Sequence, residues 1–170
     1  AVPQASCNSK LVVISAVLAS MMVAEQYLSW LMAMARSTAA AGTPLPIGQA
    51  SPPDSPARPT APELLDPRDV PRRRPSTQTG RLALLHALGH IELNAVDLAL
   101  DIVARYAAEP VPHSFFDGWM QVAFEEAKHF NMVRDRLRQL GADYGDMPAH
   151  DGLWKAAHST RNDLTARLAV

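Results

Sequence analysis

The prolines constrain this chain more than any other feature of its sequence. The chain of 170 residues contains 14 prolines, and ten of them lie between Pro44 and Pro75. Proline lacks the amide donor and restricts the residue before it, so this stretch should form neither regular helix nor sheet. The pattern predicts three parts: a helical segment at 1–42, a proline-rich strap or linker at 43–76, and a helical bundle at 77–170.

The proline-rich segment 43–76 has two interpretations. Apolar residues at 59–65 favour an extended, polyproline-like strap docked on the bundle, whereas the composition is also typical of a disordered linker. A short basic run at 72–74 has acidic neighbours, and the whole chain carries 16 Lys and Arg against 17 Asp and Glu. Because nucleic-acid binding depends on an excess of positive charge, we expect no nucleic-acid partner.

An apolar segment at 11–35 precedes the strap. Its longest uncharged run, 11–24, is short for a membrane span. Apolar residues recur there at spacings of three and four, which favours a helix packed against a core. The alternative is an export signal or anchor, because Lys10 precedes the run and the triplet 33–35 resembles a small-residue cleavage site. We therefore expect a buried helix in a cytoplasmic protein with no membrane contact.

The sequence after the strap predicts an all-α fold, because it shows no alternating strand pattern. A first helix is expected at 80–109, where Pro110 ends it. A second is expected at 114–140, with the serine at its start as N-cap and Gly141 just beyond its end. A third, amphipathic helix is expected at 151–170.

The first helix places a glutamate on its apolar face. When the side chains are placed around a helix at about 100° per residue, one face is apolar and Glu92 lies at its centre. The other residues of this face are Leu85, Leu88, Gly89, Ala95, Val96, Ala99 and Val103. The opposite face is polar, and we expect it to be solvated; it comprises His90, Asn94, Asp97, Asp101 and Arg105. A carboxylate within an apolar stripe is unfavourable unless it is paired or bound to a metal, so Glu92 marks a functional position.

The second helix repeats this feature with the motif Glu-x-x-His. Its inward face comprises Phe115, Trp119, Val122, Ala123, Phe130, Val133, Leu137 and Leu140, and Glu126 and His129 interrupt that face. A spacing of three places the two side chains one turn apart on the same side of the helix. Carboxylate plus imidazole suits iron or manganese, and zinc less specifically. A structural buried ion pair is the alternative interpretation.

The small residues beside these positions also favour a site. Gly89, Ala95 and Ala123 would leave room at the centre of the core. Other polar residues are less promising: Glu125 falls at the edge of the face, His86 is expected to be peripheral, and His113, His150 and His158 are expected in loops or on the surface.

One glutamate on a first helix and Glu-x-x-His on the next is half of the ferritin-like di-metal carboxylate pattern. Beyond this motif, the chain resembles a bacterial ferritin-like family catalogued as a domain of unknown function. The resembling segments are residues 56–59 through 71–73, 85–95, 123–130, 144–146 and 148–154.

The resemblance implies a four-helix bundle with a dinuclear iron or manganese site. It assigns ligand roles to Glu92, Glu126 and His129, and implies an oxidoreductase that uses dioxygen or peroxide on an unknown small-molecule substrate. A non-catalytic helical scaffold or binding module, in which a buried Glu/His pair is structural, is the alternative function.

Half of the ferritin-like ligand set is missing from this sequence. No glutamate follows His129, and the second Glu-x-x-His is absent. We therefore interpret the chain as the N-terminal part of such a protein, with an incomplete bundle. A homodimer in which two copies supply the same three ligands by two-fold symmetry is the alternative.

Overall fold

Two long helices dominate the architecture. The computed structural model describes residues 52–56, 60–71 and 74–169. Its elements are, in chain order, β1 (Leu64–Leu65), α1 (Gln78–Arg105), α2 (His113–Gln139), β2 (Ala149–His150), α3 (Gly152–Ser159) and α4 (Leu164–Leu168). The described chain is mostly helical, which confirms the all-α prediction at this level. The ferritin-like bundle itself stays a prediction.

Small side chains let α1 and α2 pack closely. Their shared core comprises Val96, Ala99, Leu100 and Ala104 of α1 with Ala123 and Ala127 of α2. Gly89, in the first half of α1, lies beside Phe130 and Val133 in the second half of α2, so the two helices are antiparallel. Alanine lowers the side-chain volume between the helices without weakening their helix propensity.

The start of α1 is fixed by a cap and by a close approach of the backbone. The side chain of Thr77 accepts a hydrogen bond from the Gly80 amide at 3.0 Å, which satisfies one free donor of the first turn. The Thr77 hydroxyl in turn donates to the Arg74 carbonyl. A Cβ atom at Gly80 would overlap that carbonyl, so only glycine allows the strap to enter the helix here.

The helix ends differ from the prediction in two places. Helix α1 ends at Arg105 rather than at Glu109, because the chain turns at Tyr106. Two of the residues that follow precede prolines, and a residue before proline disfavours helical backbone. Helix α2 begins at His113 with Pro112 as its N-cap, so the expected serine cap is wrong. The predicted role of Gly141 is confirmed: its φ is +81°, and the flanking amides bond back to the last turn.

The predicted third helix is broken into α3 and α4. The chain turns between Thr160 and Asp163, and the buried Tyr106 hydroxyl donates to both of their carbonyls, at 3.1 and 3.4 Å. The Asp163 side chain then caps α4 by accepting from the Ala166 amide at 3.0 Å. A distant tyrosine thus stabilises a break that the amphipathic pattern of the segment does not reveal.

The described part of the strap is docked on the helices. Leu64 pairs with Ala149 and Leu65 with His150 in a short parallel ladder, so the expectation that the strap forms no sheet is wrong. Two side chains farther along the chain also bind its backbone. Trp154 Nε1 donates to the Asp54 carbonyl at 2.9 Å, and Arg105 donates to the Pro53 carbonyl at 2.9 Å. The docked interpretation is therefore the correct one for these residues.

The predictions for the segment 1–42 lie outside the described residues. Among the helices that the structure does describe, none combines the length and the apolar character that a membrane crossing requires.

Candidate metal centre

The structure brings Glu92, Glu126 and His129 together. Glu92 projects from the middle of α1, and the other two project from the facing stretch of α2, one helical turn apart. His129 Nδ1 lies 3.1 Å from Oε2 of Glu126 and 3.7 Å from Oε2 of Glu92. The three residues thus form one cluster across the helix pair, as their positions in the sequence predicted.

The spacing of the donor atoms suits one metal ion. One donor atom from each residue lies within 4.8 Å of the other two. Donors bound to a single ion at about 2.1 Å are separated by roughly 3.0–3.4 Å when they occupy neighbouring coordination positions. Of the two distances from His129 Nδ1, the 3.1 Å to Glu126 lies within that range and the 3.7 Å to Glu92 lies a few tenths of an ångström above it. Two carboxylates and one imidazole could therefore hold a cation after small side-chain movements.

The cluster lies at the open edge of the helix pair rather than in the centre of its core. The side chains of Glu92 and Glu126 are 22% and 25% exposed, and that of His129 is 52% exposed. The expectation of a deeply buried site is wrong, because the buried core lies farther along α1, at Val96, Ala99, Leu100 and Ala104, against Ala123 and Ala127 of α2. Gly89, which was expected to leave room for the site, instead lies beside Val133 and Tyr144.

The two carboxyl groups share a proton. A hydrogen bond from its carboxyl group to Glu126, aided by partial burial and by the charge of Glu126, raises the pKa of Glu92 to about 7. The same hydrogen bond lowers the pKa of Glu126, and His129 lowers it further. Two carboxylates this close cannot both ionise easily without a positive partner. The cluster therefore has the electrostatic character of a site suited to a cation.

The polar face of α1, expected in solvent, is largely buried. His86, His90, Asn94 and Asp101 are all at most 5% exposed. His90 Nδ1 lies 2.8 Å from the Tyr144 hydroxyl, and its Nε2 lies 3.0 Å from the His150 carbonyl. Burial lowers the pKa of His86, whose Nε2 accepts from the Gly145 amide at 3.0 Å. These contacts attach the segment after α2 to α1.

Asp101 belongs to a second charged cluster on the same helix. It accepts three hydrogen bonds from Arg105, at 2.8–3.1 Å, and one from Arg167 of α4 at 2.7 Å. The Asp101 and Arg167 side chains are only 3% and 4% exposed, and the Arg167 guanidinium lies 5.9 Å from the Trp154 ring centroid. This cluster, the Asp101 clamp, fixes the C-terminal segment and the strap to α1.

One sequence signal could have indicated the buried polar face. The stripe at positions 86, 90, 94, 97 and 101 contains histidine, asparagine and aspartate, whereas helix α1 contains no lysine at all. Solvated helix faces are usually rich in lysine and glutamate, while histidine and asparagine are buried more often.

The expectation that Glu125 lies at the edge of its helix face agrees with the structure. Its side chain is exposed and accepts a hydrogen bond from Gln121 at 2.9 Å.

Comparison with known proteins gives a family but no activity. No solved structure matches the chain. An uncharacterized protein of Haemophilus influenzae is 43% identical over 119 residues, which are 67% of this chain and 41% of that protein. The chain therefore matches less than half the length of this relative. The family model described as "Protein of unknown function (DUF455)" matches residues 14–170, and so the chain belongs to the DUF455 family.

Proposed function

We propose that this protein binds iron or manganese through Glu92, Glu126 and His129, as part of a ferritin-like dinuclear centre that serves an oxidoreductase. The observation that carries the proposal is the three-residue cluster itself: two carboxylates and an imidazole converge from two helices at spacings close to those of one coordination sphere. The oxygen-rich donor set suits iron and manganese, and the imidazole excludes a purely calcium-like or magnesium-like set.

The half-exposed position of the cluster also supports a reactive rather than a structural metal. A structural metal site is closed by protein ligands, whereas a catalytic site keeps positions for water or substrate. Three protein donors and a 52% exposed His129 leave such positions. When bound, the metals would supply redox chemistry with dioxygen or peroxide. The substrate would be a small molecule that reaches the open edge of the helix pair.

The residues of this chain have separate tasks in that centre. The carboxyl groups of Glu92 and Glu126 supply negative charge, and the proton that they share must leave before both can bind a cation. His129 presents Nδ1 toward the carboxylates and adds a neutral donor. The Glu126 carboxylate, 3.1 Å from that nitrogen, fixes the direction of the ring. We place this protein in the cytoplasm.

Metal binding by matched glutamate variants tests the proposal. Equilibrium dialysis of the purified chain against Fe(II) or Mn(II), followed by metal analysis, should show stoichiometric binding. Glu126→Ala should lose it, since the variant removes one of three donors. Glu125→Ala is the control, because the Glu125 carboxylate is exposed and accepts a hydrogen bond from Gln121 instead of joining the cluster. Equal binding by both variants would contradict the assignment.

The alternative scaffold function predicts a different result in the same experiment. In that case the hydrogen bond between Glu126 and His129 is only a structural contact. The wild-type chain would then bind no metal stoichiometrically, and Glu126→Ala would change only its stability.

A further inference from the structure

We propose that the loop between α2 and β2, residues 140–148, is a latch that acid releases from α1. While its imidazole is neutral, His86 holds this loop closed, and protonation of the ring breaks the contact. His86 is not one of the candidate ligands, and the latch goes beyond the proposed metal-binding function without depending on it.

The hydrogen bond between His86 and the loop fixes which ring nitrogen lacks a proton. The Gly145 amide donates to Nε2 of His86 at 3.0 Å. A backbone amide can only donate, so Nε2 must accept and carries no hydrogen. Protonation would place an N–H group at Nε2 opposite the N–H of Gly145. The contact therefore exists only while His86 is neutral.

The surroundings of the His86 ring also disfavour a charge on it. Its side chain is 2% exposed, and its ring stacks on that of Tyr144 with the centroids 5.2 Å apart. A charged imidazole loses its hydration in such a position. Burial is accordingly the main cause that lowers the pKa of His86, and the charge of Asp146 in the loop opposes it only in part. Acid should therefore favour the open loop, in which water solvates the protonated ring.

His90, the other α1 histidine that binds this region, should not respond in the same way. Its two ring nitrogens lie 2.8 Å from the Tyr144 hydroxyl and 3.0 Å from the His150 carbonyl. A hydroxyl and a carbonyl can both accept a hydrogen bond. A protonated His90 could therefore keep both contacts, whereas a protonated His86 must give up the Gly145 amide.

The charged groups that α2 presents to the loop should stay paired in acid. Arg134 and Arg138 donate to the Asp143 carboxylate at 2.7 and 3.1 Å. These bonds, with Arg134 as the main cause, lower the pKa of Asp143 to about 2, so the carboxylate remains ionised while a histidine titrates. The start of the loop should thus remain attached to α2.

The far end of the loop is held by backbone contacts to the strap. The Ala149 amide donates to the Glu63 carbonyl at 2.9 Å, and the Glu63 side chain is exposed. Ala61, the strap residue beside Gly145, carries no charge. With both ends held, release should be confined to the part of the loop around Tyr144 and Gly145.

Amide hydrogen exchange of the full chain, resolved by nuclear magnetic resonance, tests the latch. The pKa of His86 is lowered from 6.5 in the closed form, so closure is fully favoured above pH 6.5 and weakens as the pH falls below it. Relative to the intrinsic exchange rate, the protection of the Gly145 amide should fall about tenfold between pH 7.5 and pH 5.5. Protection that stays constant over this range would overturn the latch.

His86→Gln is the matched variant, because its side-chain oxygen can accept from Gly145 but does not titrate. It keeps every other titrating group, Glu92 included, and its Gly145 protection should not change between the two pH values. His150→Gln is the control. The His150 ring accepts from the Gly152 amide at 3.2 Å, outside the latch, so this variant should lose protection like the wild type. An equal loss in His86→Gln would assign the effect to another group and overturn the proposal.

The side-chain nitrogen resonances of His86 give a test that needs no variant. At pH 7.5, Nε2 should be the nitrogen without a proton, and a proton found there would overturn the latch. On acidification, His86 should become protonated together with a change in the Gly145 amide resonance. A His86 that takes up its proton while the Gly145 amide stays protected would equally contradict the proposal.

Discussion

Helix α1 carries two charged clusters nine residues apart, and they differ in almost every physical respect. The Asp101 clamp surrounds one carboxylate with two guanidinium groups in a nearly solvent-free position. The candidate metal cluster gathers two carboxylates and one imidazole at a partly exposed edge. In the first, charges of opposite sign satisfy one another. In the second, two carboxyl groups lie close together, and a hydrogen bond between them raises the pKa of Glu92.

This difference is what a structural role for the Asp101 clamp and the proposed ligand-binding role for the Glu92 cluster would require. The Asp101 clamp links α1, α4 and the strap, and each of its charges has a partner within the chain. The cluster around Glu92 lacks a comparable balance, since among the described residues its carboxylates face one imidazole. Groups held close together in spite of their repulsion are typical of sites that await a ligand. Removing a member should therefore affect folding in one cluster and ligand binding in the other.

The largest expected effect is the loss of the Asp101 clamp. Asp101→Ala leaves the buried Arg167 and the partly buried Arg105 without their carboxylate, and this should lower the free energy of unfolding by about 3–5 kcal/mol. Urea denaturation followed by circular dichroism measures the change. Asp135→Ala is the control, because it removes an exposed ion pair with Arg138 and should cost less than about 1 kcal/mol. Equal losses in both variants would contradict a structural role for the clamp.

The candidate metal cluster should show the reverse behaviour. Glu92→Gln relieves carboxylate repulsion, so the metal-free variant should unfold within about 1 kcal/mol of the wild type. Mn(II) at a hundred times its dissociation constant should stabilise the wild type by about 2.7 kcal/mol and the variant not at all. Thermal denaturation with and without metal measures both effects. A variant that Mn(II) stabilises as much as the wild type would exclude Glu92 from the site.

The shared proton gives a smaller, pH-dependent effect. The folded-state pKa of Glu92 is raised from 4.5 to about 7, so its proton is bound more tightly in the folded than in the unfolded chain. Its contribution to stability is full below about pH 4.5 and is lost as the pH rises through about 7. In the presence of a chelator, the stability difference between wild type and Glu92→Gln should therefore move against the wild type from pH 5 to pH 8. A pH-independent difference contradicts the shared proton.

Asp143 should give the smallest effect, with the opposite sign. Arg134 donates to its carboxylate at 2.7 Å, and this hydrogen bond is the main cause that lowers the pKa of Asp143 from 3.8 to about 2. The stability that it contributes is present above pH 4 and is lost as the pH falls toward 2. Asp143→Asn should reduce the acid sensitivity of unfolding in that window. Unchanged acid sensitivity would show that the pair contributes little in solution.

The sequence predicted the convergence of Glu92, Glu126 and His129 because its geometry is local. A spacing of three on one helix places Glu126 beside His129 whatever surrounds them, and Glu92 needed only an antiparallel neighbour. Gly141 was predicted for the same reason, since a helix end depends on a few adjacent residues.

The buried polar face could not be predicted in this way. Whether His90 or Asp101 is solvated depends on segments 54–66 residues away in sequence, which supply His150, Tyr144 and Arg167 as partners. The break between α3 and α4 likewise depends on Tyr106, more than 50 residues upstream. Periodicity reports which residues share a face, but it does not report what covers that face.

The direct test of the metal centre is the detection of His129 as a ligand. Pulsed electron paramagnetic resonance of the Mn(II)-loaded chain should show the coupling of an imidazole nitrogen to the metal, and His129→Ala should abolish this coupling. His113→Ala, which removes an exposed histidine at the start of α2, should leave it unchanged. A nitrogen coupling that persists in His129→Ala, or that is absent from wild-type protein with Mn(II) bound, would contradict the assignment of Glu92, Glu126 and His129 as the metal centre.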